Sequence, residues 1–192
     1  MNNNGDIKSE KTEFRKRLTS LRSGLETDAK LKFDRCIRER VLALPRVKEA
    51  ESIFCFLSFG SEVATHAIIK ELLARGKRLT APRILRGQGI HAIPLEKWED
   101  LHPGEWGILT PATGSKADFA VDLCLTPGLG FTPAGDRLGF GRGYYDQWFR
   151  ENPLCYRLAV AYECQVRDYI PTSERDVRVN AIATEHRLIE IP

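Results

Sequence analysis

Apolar and polar residues alternate along this 192-residue chain with two different periods. In residues 8–23, Phe14, Leu18 and Leu21 recur at helical intervals among Lys, Arg and Glu, and Leu25 continues the stripe. A second helix is predicted over Asp28–Leu44. Asp28 caps its start, Ile37, Val41 and Leu44 form its apolar side, and Pro45 ends it. The run Ser52–Phe59 (SIFCFLSF) is short and almost wholly apolar, the pattern of a strand buried on both faces. Helical spacing returns over Thr65–Arg75, with Thr65 as N-cap, Ile68, Ile69, Leu72 and Leu73 inside, and Gly76 as the terminating glycine. Arg78–Ile84 and Gly89–Leu95 read as strands. Pro94, Pro103, Pro111 and nearby glycines mark a loop-rich stretch to Gly114. Phe119–Thr126 (FAVDLCLT) is a further buried strand, Tyr144–Arg150 a helix, and Leu158–Tyr162 and Ala181–Thr184 late strands.

Strands alternating with helices predict an α/β fold: one three-layer domain over residues 1–192, with a mostly parallel central sheet flanked by helices. No repeat or interdomain linker is visible. Composition narrows the class further. Hydrophobic residues make up 42% and charged residues 29%, a globular balance that excludes a disordered chain. No apolar run approaches the length of a membrane span. The amino end lacks the apolar segment of a secretory signal. The five cysteines are odd in number and lack C-x-x-C spacing, as expected of reduced thiols in a cytoplasmic protein. The four histidines lie far apart, so no zinc motif is formed. The net charge of +3 conceals an asymmetry, because residues 1–50 carry 13 basic and 8 acidic side chains. Helix faces exposed to water account for most of that, and a polyanionic ligand for the rest.

Six of the 15 glycines fall between Gly128 and Gly143. The segment Pro127–Asp146, PGLGFTPAGDRLGFGRGYYD, follows a predicted strand and precedes a predicted helix. In an open α/β sheet that is where ligands bind. Glycines let backbone N–H groups approach an anion, and the following helix N-terminus favours negative charge. Gly130-x-x-x-x-Gly135 has Walker A spacing, but Asp136-Arg137 replace the required Lys-Ser/Thr. Gly139-x-Gly141-x-Gly143 is not the dinucleotide fingerprint. Read alone, the segment is either an anion-binding turn with Arg137 and Arg142 as donors or an irregular surface loop. Tyr144-Tyr145-Asp146 favour the former, since they add a stacking face and a carboxylate able to hold magnesium.

Gly128-x-Gly130-Phe131-x-x-x-Gly135-x-Arg137-Leu138-Gly139-x-Gly141-x-Gly143-Tyr144-Tyr145-Asp146 resembles the signature of the 5-formyltetrahydrofolate cyclo-ligase family. Lys11-x-x-x-Arg15 is similar to that family's N-terminal nucleotide-binding pair. Leu57-Ser58-x-x-x-Glu62-x-x-Thr65 resembles its substrate-binding segment, and Pro171, Asp176 and Thr184-Glu185 its C-terminal pattern. The resemblance implies an ATP- and Mg²⁺-dependent enzyme that converts 5-formyltetrahydrofolate to 5,10-methenyltetrahydrofolate and releases ADP and phosphate. The formyl oxygen would attack the γ-phosphate, and N10 would then close the ring.

By that resemblance, Lys11, Arg15, Arg137, Leu138, Gly139, Phe140, Gly141, Arg142, Gly143, Tyr144 and Tyr145 bind ATP. Leu57, Glu62, Phe140, Gly141, Arg142, Gly143 and Tyr144 border the folate. Arg137 and Tyr144 are the catalytic candidates, and Asp146 and Asp176 the magnesium ligands. Trp106 is a further aromatic expected near the folate. Thr110, Thr132 and Asn180 depart from residues common in the family. The enzyme is expected to act as a monomer on 5-formyltetrahydrofolate, possible polyglutamylation included, with no nucleic-acid or membrane partner. The alternatives are a diverged or non-catalytic folate-binding relative and a basic nucleotide- or RNA-binding module.

Overall fold

The computed structural model describes residues 3–85, 87–104 and 107–192, with side chains from residue 6 onward. Trp106 therefore lies outside the described residues. Helices α1 (Asn3–Ser23), α2 (Thr27–Ala43) and α3 (Pro45–Glu49) precede strand β1 (Ser52–Cys55). They are followed by α4 (His66–Ala74), β2 (Arg78–Leu85), β3 (Gly89–Leu95), β4 (Leu101–Pro103) and β5 (Leu109–Pro111). Then come β6 (Leu123–Thr126), the small hairpin β7 (Gly130–Phe131) and β8 (Arg137–Leu138), α5 (Tyr144–Glu151), β9 (Tyr156–Val160), β10 (Ala181–Ala183) and β11 (Leu188–Glu190). The main sheet has seven strands in the order β11-β10-β9-β6-β1-β2-β3. Its five inner strands are parallel, and the edge strands β3 and β11 are antiparallel to their neighbours. The expected three-layer α/β architecture is what the chain adopts.

Strand alternation assigns the two faces. Ile53, Cys55, Leu123, Leu125, Leu158 and Val160 pack with Ile37 and Val41 of α2 and Ile68, Ile69 and Leu72 of α4. Phe54 and Cys124 point the other way, onto Trp148 and Phe149 of α5. Full burial on both sides is why β1 and β6 carry no polar alternation. At the opening edge of the sheet, the Asp122 carboxylate accepts the Glu51 and Ser52 backbone N–H groups and the Ser52 hydroxyl, aligning β1 with β6.

Several boundaries differ from expectation, each for a local reason. Glu26, not Asp28, caps α2, with no side-chain cap bond; Asp28 stands in the first turn. Pro45 opens the short helix α3 at its first position, where a missing N–H costs nothing. The apolar run after β1 stays buried to Leu57 but leaves the ladder at Cys55, where the chain turns into the Glu62 loop. Phe119 lies outside β6 and packs its ring under the Arg78 guanidinium, 4.7 Å away. Cys55, Cys124 and Cys155 are buried, Cys36 is exposed and Cys164 is half-buried. Asn180, a family departure, accepts the Arg157 backbone N–H and Nε at the sheet edge. Thr132 and Thr110 likewise make local bonds, to Asp136 and to the Pro82 carbonyl.

α1 is the element that positions the site. Leu18 packs with Leu129, Leu138 and Ile170, and Phe14 joins them, so the helix lies on the glycine-rich segment at the carboxyl edge of the sheet. Leu21 contributes less than its place in the stripe suggested, being exposed on the other side.

Candidate active site

The adjacent parallel strands β1 and β6 deliver two loops to one edge of the sheet. After β1 comes the loop that carries Glu62. Ser58 and Thr65 close it reciprocally: the Ser58 N–H donates to Thr65 Oγ1 at 3.0 Å, and the Thr65 N–H to Ser58 Oγ at 3.1 Å. Within it the Phe59 N–H donates to Glu62 Oε2 at 2.8 Å. Burial pushes the Glu62 carboxyl above the usual range; the Phe59 N–H and the Arg22 charge oppose that push. The Tyr162 hydroxyl, itself bonded to Asp34, reaches the Glu62 backbone carbonyl at 3.4 Å. Leu57, expected to wall the folate, is buried in the core cluster below this loop.

After β6 comes the glycine-rich loop. Arg137 is 4% exposed and lies beneath the loop rather than on it. Its Nη2 donates to Asp146 Oδ1 at 2.7 Å, and its Nη1 to the Pro127 carbonyl at 3.3 Å. Its guanidinium also faces the Tyr145 and Phe149 rings. Leu138 turns its side chain into the contact with Leu18, leaving only its backbone for a ligand. A Cβ at Gly139 would stand 2.9 Å from the Arg137 Nη1, so a side chain there would dislodge the buried guanidinium. Phe140 is 55% exposed, under the Arg22 guanidinium. Gly141 adopts φ +103°, with the Arg15 guanidinium within 3.2 Å of where a Cβ would be. Arg142 is exposed and has no ion-pair or hydrogen-bond partner among the described residues. Gly143 caps α5, and Tyr144 leans on the Phe54–Trp148 cluster. Tyr145 stacks on Phe54 with centroids 5.9 Å apart. Burial holds its phenol well above the ordinary value and therefore neutral.

α1 fastens three loops through one stripe of basic side chains. Lys11 forms an ion pair with Asp176 and donates to Ser173 Oγ at 3.3 Å. Arg15 Nε donates to the Gly139 carbonyl at 2.9 Å. Arg22 Nε donates to Ser61 Oγ at 3.0 Å, next to Glu62. Lys11 thus meets the 173–176 loop and Arg15 the glycine-rich loop, from one face of the helix. Arg22, Ser61 and Ser173 were missed. The signal for Arg22 was available: offsets of four and eleven residues from Lys11 place all three side chains on one helix face.

Asp146 and Asp176 lie close together, because Asp146 Oδ1 also accepts the Val177 N–H at 3.1 Å. All protein bonds to Asp146 land on Oδ1, and all those to Asp176 on Oδ2. Each carboxylate so keeps one oxygen without a protein donor among the described residues. No group of three or more His, Cys, Asp or Glu able to enclose a metal occurs among them. Such a pair fits a hard cation that takes most of its ligands from water and phosphate, and does not fit a closed protein cage.

Fold and site together define an α/β enzyme whose loops converge at the carboxyl ends of parallel strands. The chain belongs to the 5-formyltetrahydrofolate cyclo-ligase family, whose model matches residues 7–185. It is 28% identical to mouse 5-formyltetrahydrofolate cyclo-ligase, over 93% of this chain and 95% of the mouse protein. It is 26% identical to the Haemophilus influenzae enzyme of the same name, over 87% and 91% of the two chains. The solution structure of Aquifex aeolicus 5,10-methenyltetrahydrofolate synthetase superposes with a TM-score of 0.84 at 27% identity, covering 94% of this chain and 92% of that one. The two names give the two ends of one conversion, 5-formyltetrahydrofolate in and 5,10-methenyltetrahydrofolate out. A Mycoplasma pneumoniae structure at 23% identity, TM-score 0.73, shares the fold.

Proposed function

We propose that this chain catalyses that conversion at the expense of ATP, with Mg²⁺, releasing ADP and phosphate. The observation that carries the proposal is the convergence of the Glu62 loop, the glycine-rich loop and the 173–176 loop under one basic stripe of α1. Phosphoryl transfer asks for alignment and charge neutralisation more than for covalent help. Lys11 and Arg15 meet the phosphates from the helix side, and the backbone of Gly139 to Gly143 cradles them from the loop side. Arg142, exposed at the same place, adds a further cation. Arg137, being buried, orients Asp146 and the loop rather than reaching the nucleotide. Tyr144 stands at the junction of loop and helix, where the two substrates meet.

Glu62 holds the folate. Its carboxylate accepts a pair of N–H groups from the pterin, giving orientation as well as affinity. Phe140 offers its exposed ring as a wall. Asp146 and Asp176 would hold Mg²⁺ through their free oxygens, and the ion supplies neutralisation of phosphate charge when bound. The formyl oxygen attacks the γ-phosphorus, and N10 then displaces phosphate from the activated carbon. The reaction needs no partner subunit in this reading, and the protein works as a cytoplasmic monomer. No helix among the described residues is long and apolar enough to cross a membrane.

The test is direct. Pure protein is mixed with 5-formyltetrahydrofolate, ATP and Mg²⁺, and the absorbance of methenyltetrahydrofolate is followed with ADP release. Product and ADP in equal amounts are expected. No product with intact ATP would overturn the proposal.

A further inference from the structure

The Arg22 guanidinium is a charge at the site that the reaction above does not use. Arg22 is 5% exposed. Its Nε bonds Ser61 Oγ, and its planar group lies 5.7 Å from the Phe140 ring centroid. Among the described residues neither of its terminal amino groups has a hydrogen-bond acceptor. A guanidinium carries five N–H donors. With only Nε engaged by Ser61, the terminal amino groups at the edge of the site are available to an oxygen of a ligand.

Its position indicates which one. Lys11 and Arg15, toward the amino end of α1, face the glycine-rich loop and the 173–176 loop. Arg22 is seven residues beyond Arg15, about 10 Å along the helix, and faces the Glu62 loop instead. Its charge and that of Glu62 act on each other. The edge of a reduced pterin presents, in order, the 2-amino N–H, the N3–H and the 4-oxo oxygen. Glu62, acceptor-only when ionised, matches the two donors; the next position along that edge is an acceptor and needs a donor. A planar fork fixed by Ser61 and by the Phe140 face can meet it in the ring plane, which a flexible ammonium cannot do as well.

We propose that Arg22 is a substrate-specificity residue that donates to the 4-oxo oxygen of the pterin while Glu62 accepts from N3–H and the 2-amino group. The inference rests on the reading of Glu62 given above. It makes the site a reader of three consecutive positions on the pterin edge. A site built to hydrogen-bond that oxygen discriminates against a ligand lacking it.

Equilibrium binding tests it without turnover. Wild type, Arg22→Met and Arg22→Lys are titrated with 5-formyltetrahydrofolate and with its 4-amino-4-deoxy analogue, using tryptophan fluorescence or calorimetry. Wild type is expected to prefer the 4-oxo ligand. Arg22→Met is expected to lose about tenfold or more in affinity for the 4-oxo ligand, a change of about 1.4 kcal/mol, with the analogue weakened by less than about twofold. The affinity for ATP, titrated in the same way, should stay put. Equal losses for both ligands, or none, overturn the inference. Should Arg22→Met not fold, Arg22→Lys keeps the charge but not the fork, and its ratio of affinities is judged in the same way. Glu62→Gln, titrated with the 4-oxo ligand, separates the two readings. If it binds normally, the Glu62 reading fails and takes this inference with it. If it binds weakly while the Arg22 variants keep the wild-type ratio, this inference alone fails.

Discussion

Lys11 and Asp176 form an ion pair that joins the first helix to a loop 165 residues further along the chain. Both side chains are largely covered, at 12% and 20% exposure. The pair has two tasks in the proposed reaction, since Lys11 serves the nucleotide and Asp176 the metal. Lys11→Met should raise the Michaelis constant for ATP by about tenfold, or about 1.4 kcal/mol of binding. The constant for the folate should move little. Arg15→Ala should act in the same direction. Steady-state kinetics with each substrate varied in turn checks this, and an effect confined to the folate contradicts it.

Asp146→Asn separates chemistry from folding. The amide keeps the shape and an acceptor for the Arg137 Nη2 and the Val177 N–H, but carries no charge for a cation. Turnover should fall by about 100-fold or more, and the Mg²⁺ concentration for half-maximal rate should rise. Denaturant unfolding should show a loss of about 1–3 kcal/mol, as expected of a charged bond weakened to a neutral one. An unchanged magnesium profile would refute the metal assignment.

Glu62 links stability to pH with a defined sign. Its folded-state pKa is raised by burial, so the native state holds its proton more tightly than the unfolded chain does. Such a carboxyl costs stability as pH rises from about 4.3, the ordinary glutamate value, and the cost is complete once the raised value is passed. Glu62→Gln should therefore raise the melting temperature at neutral pH, and the gain should vanish toward pH 4. Folate binding should move the opposite way: weakened in the variant and, in the wild type, lost as acid protonates Glu62. Thermal scans and titrations across pH read both.

Gly141→Ala probes the loop itself. The backbone stands at φ +103°, and the new methyl would meet the Arg15 guanidinium at 3.2 Å. Strain at positive φ costs of order 1–3 kcal/mol. Unfolding free energy should fall by about that amount, and the Michaelis constant for ATP should rise as Arg15 is pushed from the Gly139 carbonyl. Wild-type kinetics in a destabilised variant would show that Arg15 does not act through this contact.

Periodicity alone made the central layers readable. The apolar runs around Ile53–Cys55 and Leu123–Thr126 read as strands covered on both sides, and Ile68, Ile69 and Leu72 mark one helix face. The chain order of glycines, Arg137 and Tyr144-Tyr145-Asp146 made the loop recognisable because each type serves a steric or electrostatic demand. What stayed hidden depends on tertiary contact. The start of α1 at Asn3 follows no cap or apolar stripe. β11 is three residues long and exists because Ile189 pairs with Ile182 across the sheet edge. The helix spacing puts Arg22 on the face of Lys11 and Arg15, but its contacts with Ser61 and Phe140 emerge only from the fold. Arg137 reads as a surface donor until Asp146 and two aromatic rings enclose it.

The pairing of β1 with β6 has a mechanical consequence. Phe54 stands opposite Cys124 and Cys55 opposite Leu125, so the Glu62 loop and the glycine-rich loop spring from neighbouring strands at nearly the same height. Their roots are one inter-strand spacing apart, about 4.8 Å. Backbone hydrogen bonds thus act as a ruler between the two loops. In the proposed reaction that ruler would set the spacing between the loop given to the pterin and the loop given to the phosphates, so that the sheet itself, rather than the loops, would fix how far apart the two substrates are held.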